Sequence, residues 1–179
     1  ALAGQFQYSA VLGDAPDAAF RLAGERYRQH GFRDFKIKLS GDVVRDHAKC
    51  AWLRELDPQV RVRADANNLW PDGDSALAYL DALDYPFSGL EEPVRAGAYA
   101  DMARIAAGRR CPIILDESCL RIQQLAQLAT APDQWIINLR VSKMGGLVRS
   151  LALLDAARHA NIRLVVGAQV GETSLLTRA

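Results

Sequence analysis

The stretch FKIKLSGDVVRDHAKCAWLRELDPQVRVRAD (35–65) contains one whole structural repeat of this 179-residue chain. It opens on a short alternating run, FKIKL (35–39), and closes on a second, VRVRAD (60–65). Alternation with period two predicts strands. Successive strand side chains point to opposite faces, so Lys36 and Lys38 share a face. Like charges side by side on a sheet repel, so something on that face must make the pair favourable. Between the strands, DVVRDHAKCAWLREL (42–56) places apolar residues at Val43, Val44, Cys50, Trp52, Leu53 and Leu56, which predicts an amphipathic helix. Strands joined by such a crossover run parallel.

The same unit recurs along the chain. Further strands are predicted at QYSAVLG (7–13), FSGLEE (87–92), PIILDE (112–117), WIINLR (135–140) and IRLVVG (162–167). Helices are predicted at PDAAFRLAGERYRQHG (16–31), DGDSALAYLDAL (72–83), YADMARIAAG (99–108), IQQLAQLAT (122–130) and LVRSLALLDAARHAN (147–161), with a seventh starting near Glu172. The first of these opens on Pro16 and Asp17 and closes on Gly31, the usual order of helix signals. The polar or glycine residues ending successive strands are Lys38, Asp65, Glu91, Asp116, Arg140 and Gly167, at steps of 27, 26, 25, 24 and 27. A period of one βα unit places each at the equivalent point of its repeat. A (β/α)₈ barrel gathers such strand ends at its C-terminal rim; a doubly wound sheet does not. The expected fold is therefore α/β, a TIM-type barrel over residues 1–179, with seven strands counted rather than eight. A barrel lacking one strand has two open edges.

Half of the residues are hydrophobic, enough for a sizeable core. Lys plus Arg number 22 against 21 acidic residues, and no basic run or aromatic series marks a nucleic-acid surface. No apolar segment reaches the roughly 18 residues of a membrane span. The opening ALAGQFQYSAVLGD lacks a basic segment followed by an apolar one, so no signal peptide is expected. Cys50, Cys111 and Cys119, odd in number and widely spaced, read as reduced thiols of a cytoplasmic protein.

Three consecutive strand ends carry carboxylates: Asp65 in RADANN, Glu91 in GLEEP and Asp116 in ILDES. Converging carboxylates repel unless a cation lies among them. Hard oxygen donors with no His or Cys beside them suit Mg²⁺, which keeps waters and leaves room for a substrate.

The ordered set KIK (36–38), DANN (65–68), EEP (91–93), DES (116–118) and SKMGG (142–146) resembles the barrel domain of the enolase superfamily. The likeness is greatest to the muconate-lactonizing-enzyme and mandelate racemase-like branch, with its o-succinylbenzoate synthases and dipeptide epimerases. The resemblance implies Asp65, Glu91 and Asp116 as Mg²⁺ ligands, Lys38 as general acid/base and Lys36 as the neighbour whose charge tunes it. Asn67 and Glu117 match positions that orient ligands or pair with lysine, with Asn68 and Glu92 as lower-ranked neighbours. Lys143 matches a second lysine of the sixth strand end. Gln169 and Glu172, in GAQVGE, match substrate-facing positions after the seventh strand. The implied chemistry is removal of the proton α to a carboxylate through an enediolate stabilised by Mg²⁺. The implied partner is a small-molecule carboxylate, and relatives commonly form homo-oligomers.

Three departures narrow this expectation. Relatives usually read K-x-x-K-x-G-G at the sixth strand end, whereas this chain reads RVSKMGG, with Arg140 where the first lysine belongs. Arginine stays protonated and is a poor base, though it can clamp a carboxylate. One-base lyase or cycloisomerase chemistry through Lys38 is thus favoured over racemisation or epimerisation. An N-terminal capping domain and the eighth strand are expected to be missing from 1–179. Two other readings stand beside the enzymatic one. The first is a non-catalytic or truncated barrel module with a vestigial metal site. The second is a different (β/α)₈ enzyme whose MGG (144–146) at a helix start binds an anion.

Overall fold

A computed structural model of the chain describes residues 7–168. Seven strands form one sheet: β1 (Ala10–Leu12), β2 (Asp34–Lys38), β3 (Arg61–Asp65), β4 (Gly89–Glu91), β5 (Ile113–Leu115), β6 (Trp135–Leu139) and β7 (Arg163–Val166). They lie side by side in chain order, and every pairing is parallel. That order, without reversal, is the wall of a (β/α) barrel; a doubly wound sheet reverses direction at a switch point. The fold is a partial barrel of seven strands among the described residues. Its helices are α1 (Asp17–Gln29), α2 (Val43–Leu56), α3 (Gly73–Leu83), α4 (Tyr99–Arg109), α5 (Leu125–Leu128) and α6 (Leu147–His159). None is long and apolar enough to cross a membrane. The helix expected near Glu172 lies outside the described residues.

Local chemistry explains the elements. Asp42 caps α2 by accepting from the amides of Val44 (3.0 Å) and Arg45 (3.1 Å), and Asp72 caps α3 by accepting from Ser75 (2.8 Å). In β2, Phe35 and Ile37 are fully buried under the helices, while Lys36 and Lys38 face the inner side. The strands β4, β5 and β6 are buried at every position, as continuous apolar runs in parallel sheets are. The helix expected over 122–130 is shorter: a 3-10 turn at Ile122–Gln124, then the single turn α5. The Gln124 side chain explains this. It accepts from the amides of Leu120 and Arg121 (both 2.8 Å) and donates to the Ser118 carbonyl (2.7 Å), so it fixes the loop after Asp116.

One acidic side chain holds two strand ends together. Glu92, at φ +40°, is 1% exposed and directs its carboxylate away from the barrel mouth. Its Oε1 accepts from the amides of Asp116 and Ser118, and its Oε2 from Ser118 Oγ, all at 2.8 Å. Three donors hold a backbone conformation that a glutamate otherwise avoids. Burial raises the Glu92 carboxyl above the ordinary glutamate value, and these donors offset that only in part.

The first two helices meet through Gly24. A Cβ there would stand 2.8 Å from Trp52 Cζ3 and closer still to Cη2. Trp52 cannot easily retreat, because it also packs edge-on against Phe20 with ring centroids 5.7 Å apart.

Gly24→Ala is expected to lower stability by about 1–2 kcal/mol, the overpacking cost exceeding the gain in helix propensity. Urea unfolding followed by circular dichroism measures this, and an unchanged midpoint contradicts it. Glu92→Ala leaves two buried amides and a hydroxyl unpaired and is expected to cost about 3 kcal/mol in the same assay. The pH dependence has a definite sign. A carboxyl raised on folding is harder to ionise in the folded chain, so its contribution to stability falls as pH rises through its folded value. The stability of the wild type minus that of Glu92→Gln should therefore decrease from about pH 4 upward. An increase over that range contradicts the assignment.

Candidate active site

The strand register builds the site. Lys38 of β2 lies beside Asp65 of β3, and Asp65 lies beside Glu91 of β4. These three form one row across three parallel strands. Glu91 in turn pairs with Ile114, so Asp116 stands two residues beyond the row, just past the end of β5. A two-residue offset keeps Asp116 on the same face. The equal steps in sequence hide this offset, because they count residues and not hydrogen-bonded partners. Asp65, Glu91 and Asp116 are buried, each 3–4% exposed.

Buried carboxylates need positive charge close by. The chain supplies it. Lys36 Nζ lies 2.8 Å from both Asp65 Oδ2 and Glu91 Oε2. Arg140 pairs with Asp116 and lies 3.6 Å from Glu91 Oε1. Lys143 Nζ bridges Asp116 Oδ2 (2.9 Å) and Glu117 Oε1 (2.6 Å). Asn138 of β6, which is buried, donates from Nδ2 to Glu91 Oε1 at 3.2 Å. Lys38 differs from the other cations. Its ammonium is 3.8 Å from Asp65 Oδ2 and donates to Asn67 Oδ1 at 2.5 Å. Its side chain is 42% exposed, against 15% for Lys36, 16% for Arg140 and 21% for Lys143.

The titration of this cluster follows from burial and pairing. Burial pushes the Asp116 carboxyl up to about 6, although Lys143 and Arg140 pull it down. Burial also raises Glu117, but its bonds to Lys143 and Asp116 outweigh that and hold it below the ordinary range. For Lys143 burial lowers the value, and the two carboxylates outweigh it and raise it.

Lys36, Lys38, Asp65, Glu91, Asp116, Glu117, Arg140 and Lys143 gather at one set of strand ends, whereas Glu92 turns to the loop after β5. Lys36 is engaged by two carboxylates, so its charge is neutralised there instead of facing Lys38 alone. Asn67, at φ +47°, meets Lys38, and Asn68 is exposed beside it with its amide on the Glu92 carbonyl (2.7 Å). Gln169 and Glu172 lie outside the described residues. Sequence reasoning missed Asn138, whose place in the apolar run WIINLR was a signal: an amide in a fully buried strand needs a polar partner. It also missed the buried fixing role of Glu92, for which the sequence carries no signal beyond the adjacent Glu91.

The donor set suits Mg²⁺. Three oxygen ligands come from adjacent strand ends, and Asp116 Oδ1 is buried with no hydrogen-bond partner. As the side chains stand, no three His, Cys, Asp or Glu among the described residues form a metal-holding group, and Lys36, Arg140 and Lys143 engage the carboxylates. Residues 65, 91 and 116 are thus the residues that would hold the ion, in competition with the chain's own cations.

Comparison with known proteins gives the family and the fold. The family described as enolase C-terminal domain-like matches residues 18–179. The hydrophobic dipeptide epimerase of Enterococcus faecalis is 26% identical over 163 residues, covering 90% of this chain and 46% of that protein. The L-Ala-D/L-amino acid epimerase of Pedosphaera parvula is 31% identical over 146 residues, covering 80% and 41% respectively. A crystal structure of the dipeptide epimerase from Cytophaga hutchinsonii, complexed with Mg and the dipeptide D-Ala-L-Val, superposes with a TM-score of 0.82. At 24% identity, covering 94% of this chain and 46% of that one, it is a likeness of fold. The chain spans less than half the length of these relatives. From its motifs, its seven parallel strands and this match, the chain belongs to the enolase C-terminal domain-like family, in the mandelate racemase and muconate lactonizing enzyme branch of the enolase superfamily.

Proposed function

We propose that this chain forms the metal-binding and base-bearing part of an enzyme that removes the proton α to a carboxylate, with Lys38 as the base. The observation that carries the reading is the asymmetry of exposure among the four cations. Lys36, Arg140 and Lys143 are held down on buried carboxylates, while Lys38 stands in the same row with its amine open to the mouth. Asn67 accepts from that amine and fixes its direction. Bound at Asp65, Glu91 and Asp116, Mg²⁺ would supply the positive charge that offsets the negative charge gained by the substrate carboxylate as the proton leaves. Lys143 and Glu117 hold Asp116 at the rim. Asn138 steadies Glu91.

Arg140 limits the outcome. It remains protonated and is directed at Asp116 and Glu91. A group of that kind can stabilise charge on the substrate but does not take or return a proton at the opposite face of the α-carbon. We therefore assign one-base chemistry through Lys38, of the lyase or cycloisomerase type. The relatives named as epimerases invert a centre, which requires proton transfer at both faces. The substrate class that suits one-base elimination is a small carboxylic acid with an acidifiable α-proton and a β substituent that leaves with the electron pair of the enediolate. An N-acylamino acid or dipeptide without that substituent would exchange its α-proton and react no further, and magnesium with a dipeptide in the Cytophaga structure supports the pairing of metal and carboxylate.

A second reading has its own observation. The carboxylates are already balanced by Lys36, Arg140 and Lys143, which is what a non-catalytic barrel module retaining its strand-end charges would show.

Thermal unfolding with and without Mg²⁺ separates the two. The enzymatic reading predicts a stabilisation that Asp65→Asn largely removes; equal melting curves with and without Mg²⁺ favour the module. Lys38→Met should slow α-proton exchange of an N-acylamino acid or dipeptide in D₂O by about 10²–10⁴-fold, followed by NMR. Deuterium should enter at one face only in the wild type, and entry at both faces contradicts the role given to Arg140.

A further inference from the structure

Outside the carboxylate cluster, the chain buries a second charged group that the proposed reaction does not use. Asp46 of α2 is 0% exposed and Lys49, one turn on, is 3% exposed. Charges this deep are kept only with full pairing, and here the pairing is full. Asp46 Oδ2 accepts from the amides of Ser40 (2.7 Å) and Gly41 (3.3 Å) and from Tyr79 Oη (2.8 Å). Its Oδ1 accepts from Ser40 Oγ and Lys49 Nζ, both at 2.8 Å. Lys49 Nζ also pairs with Asp14 (2.8 Å) and donates to the backbone carbonyl of Lys38 at 3.1 Å.

The last contact gives the group its significance. In the register of β1 and β2, Leu12 pairs with Ile37, and β1 ends there. The carbonyl of Lys38 therefore projects past the last strand partner on that side. Lys49 supplies the donor that β1 does not. The same network grips the loops on both sides of Lys38. Asp14 belongs to the loop after β1, which Arg45 also ties through Asp14 (2.9 Å) and the Ala15 carbonyl (3.0 Å). Ser40 and Gly41 form the loop after β2. Tyr79 packs on Trp70, ring centroids 5.1 Å apart, and Trp70 anchors the loop that carries Asn67, the acceptor of the Lys38 amine.

The use of lysine points the same way. Of the 22 basic residues only four are lysines, at positions 36, 38, 49 and 143. Three stand at the mouth, and the fourth holds the backbone of the candidate base. Lysine offers a compact ammonium with three freely directed donors, and Lys49 uses them on three acceptors from three segments.

We propose that Lys49, held by Asp46, is a positioning residue that sets the direction of Lys38 by clamping its carbonyl and the flanking loops. This rests on the reading of Lys38 as the base. Its removal should loosen the end of β2, with the next largest effect at Asp65, whose carbonyl accepts from the Leu39 amide at 3.0 Å, and leave β5 unchanged.

The test labels the full chain with [ε-¹³C]lysine, giving one signal per lysine, and assigns Lys38 by Lys38→Arg. It compares the wild type with Lys49→Met by NMR and by amide hydrogen exchange read by mass spectrometry. The expected result is a shifted or broadened Lys38 signal and about tenfold faster exchange over residues 38–42. Exchange at Ile113–Leu115 should be unchanged, and the Mg²⁺-dependent thermal shift should stay within about twofold of wild type. Tyr79→Phe, which removes one donor to Asp46, should accelerate the same segment by a smaller factor. An unchanged Lys38 signal and unchanged exchange over 38–42 would overturn the proposal. So would uniform acceleration across the sheet including Ile113–Leu115, which marks a general loss of stability. Absence of any Mg²⁺ shift in the wild type is a separate outcome: it overturns the functional reading, while the exchange pattern still decides whether Lys49 positions Lys38.

Discussion

Three carboxylates buried at the ends of three adjacent parallel strands can stay ionised only where positive charge lies within a few ångströms. Much else in this chain is arranged around that constraint. The register sets Asp65 beside Glu91 and brings Asp116 above them on the same face. Lys36 bridges the first two, while Arg140 and Lys143 hold the third. Among the described residues, the cations that reach the cluster are Lys36 and Lys38 from β2 and Arg140 and Lys143 from just after β6. The barrel order of strands is what lets β2 and β6 face one charge group, because a curled wall brings side chains from separated strands into the same mouth.

The same constraint separates two kinds of acid. Asp65, Glu91 and Asp116 are balanced by side-chain cations. Glu92 and Asp46 are balanced chiefly by fixed donors and are structural. Glu91 and Glu92 are neighbours in sequence, yet one faces the mouth and the other locks the loop after β5. The strand ends at Glu91, and the left-handed backbone at Glu92, held by its three donors, turns the second carboxylate to the other side.

Much of this was legible in the sequence. The βα period gave the strand order, and the polar residues at strand ends gave the row Lys38, Asp65 and Glu91. Other parts were not legible, for physical reasons. The two-residue advance of Asp116 depends on hydrogen-bonded register, which residue counting does not measure. The short α5 reflects Gln124 bonding back to the Ser118–Arg121 loop, a tertiary contact with no periodic trace. The engagement of Lys36 by two carboxylates requires knowing how closely β2 and β4 approach across the curl. Lys49 lies in the helical segment 42–56, and its burial and its bond to the Lys38 carbonyl are tertiary features that helical periodicity does not carry. Gln169 and Glu172 fall beyond the described residues.

Arg140 and Lys36 together define what is particular to this mouth. The first is a fixed cation held on Asp116 and Glu91; the second lies between Asp65 and Glu91. The central claim is that Mg²⁺ takes the place these cations now share. A crystal structure of the chain grown with Mg²⁺ tests it most directly. The account predicts one ion bonded to Asp65, Glu91 and Asp116 at about 2.0–2.1 Å, with Lys36 Nζ withdrawn from at least one of its two carboxylates. No ion at that position, with Lys36 still bridging Asp65 and Glu91, would contradict it.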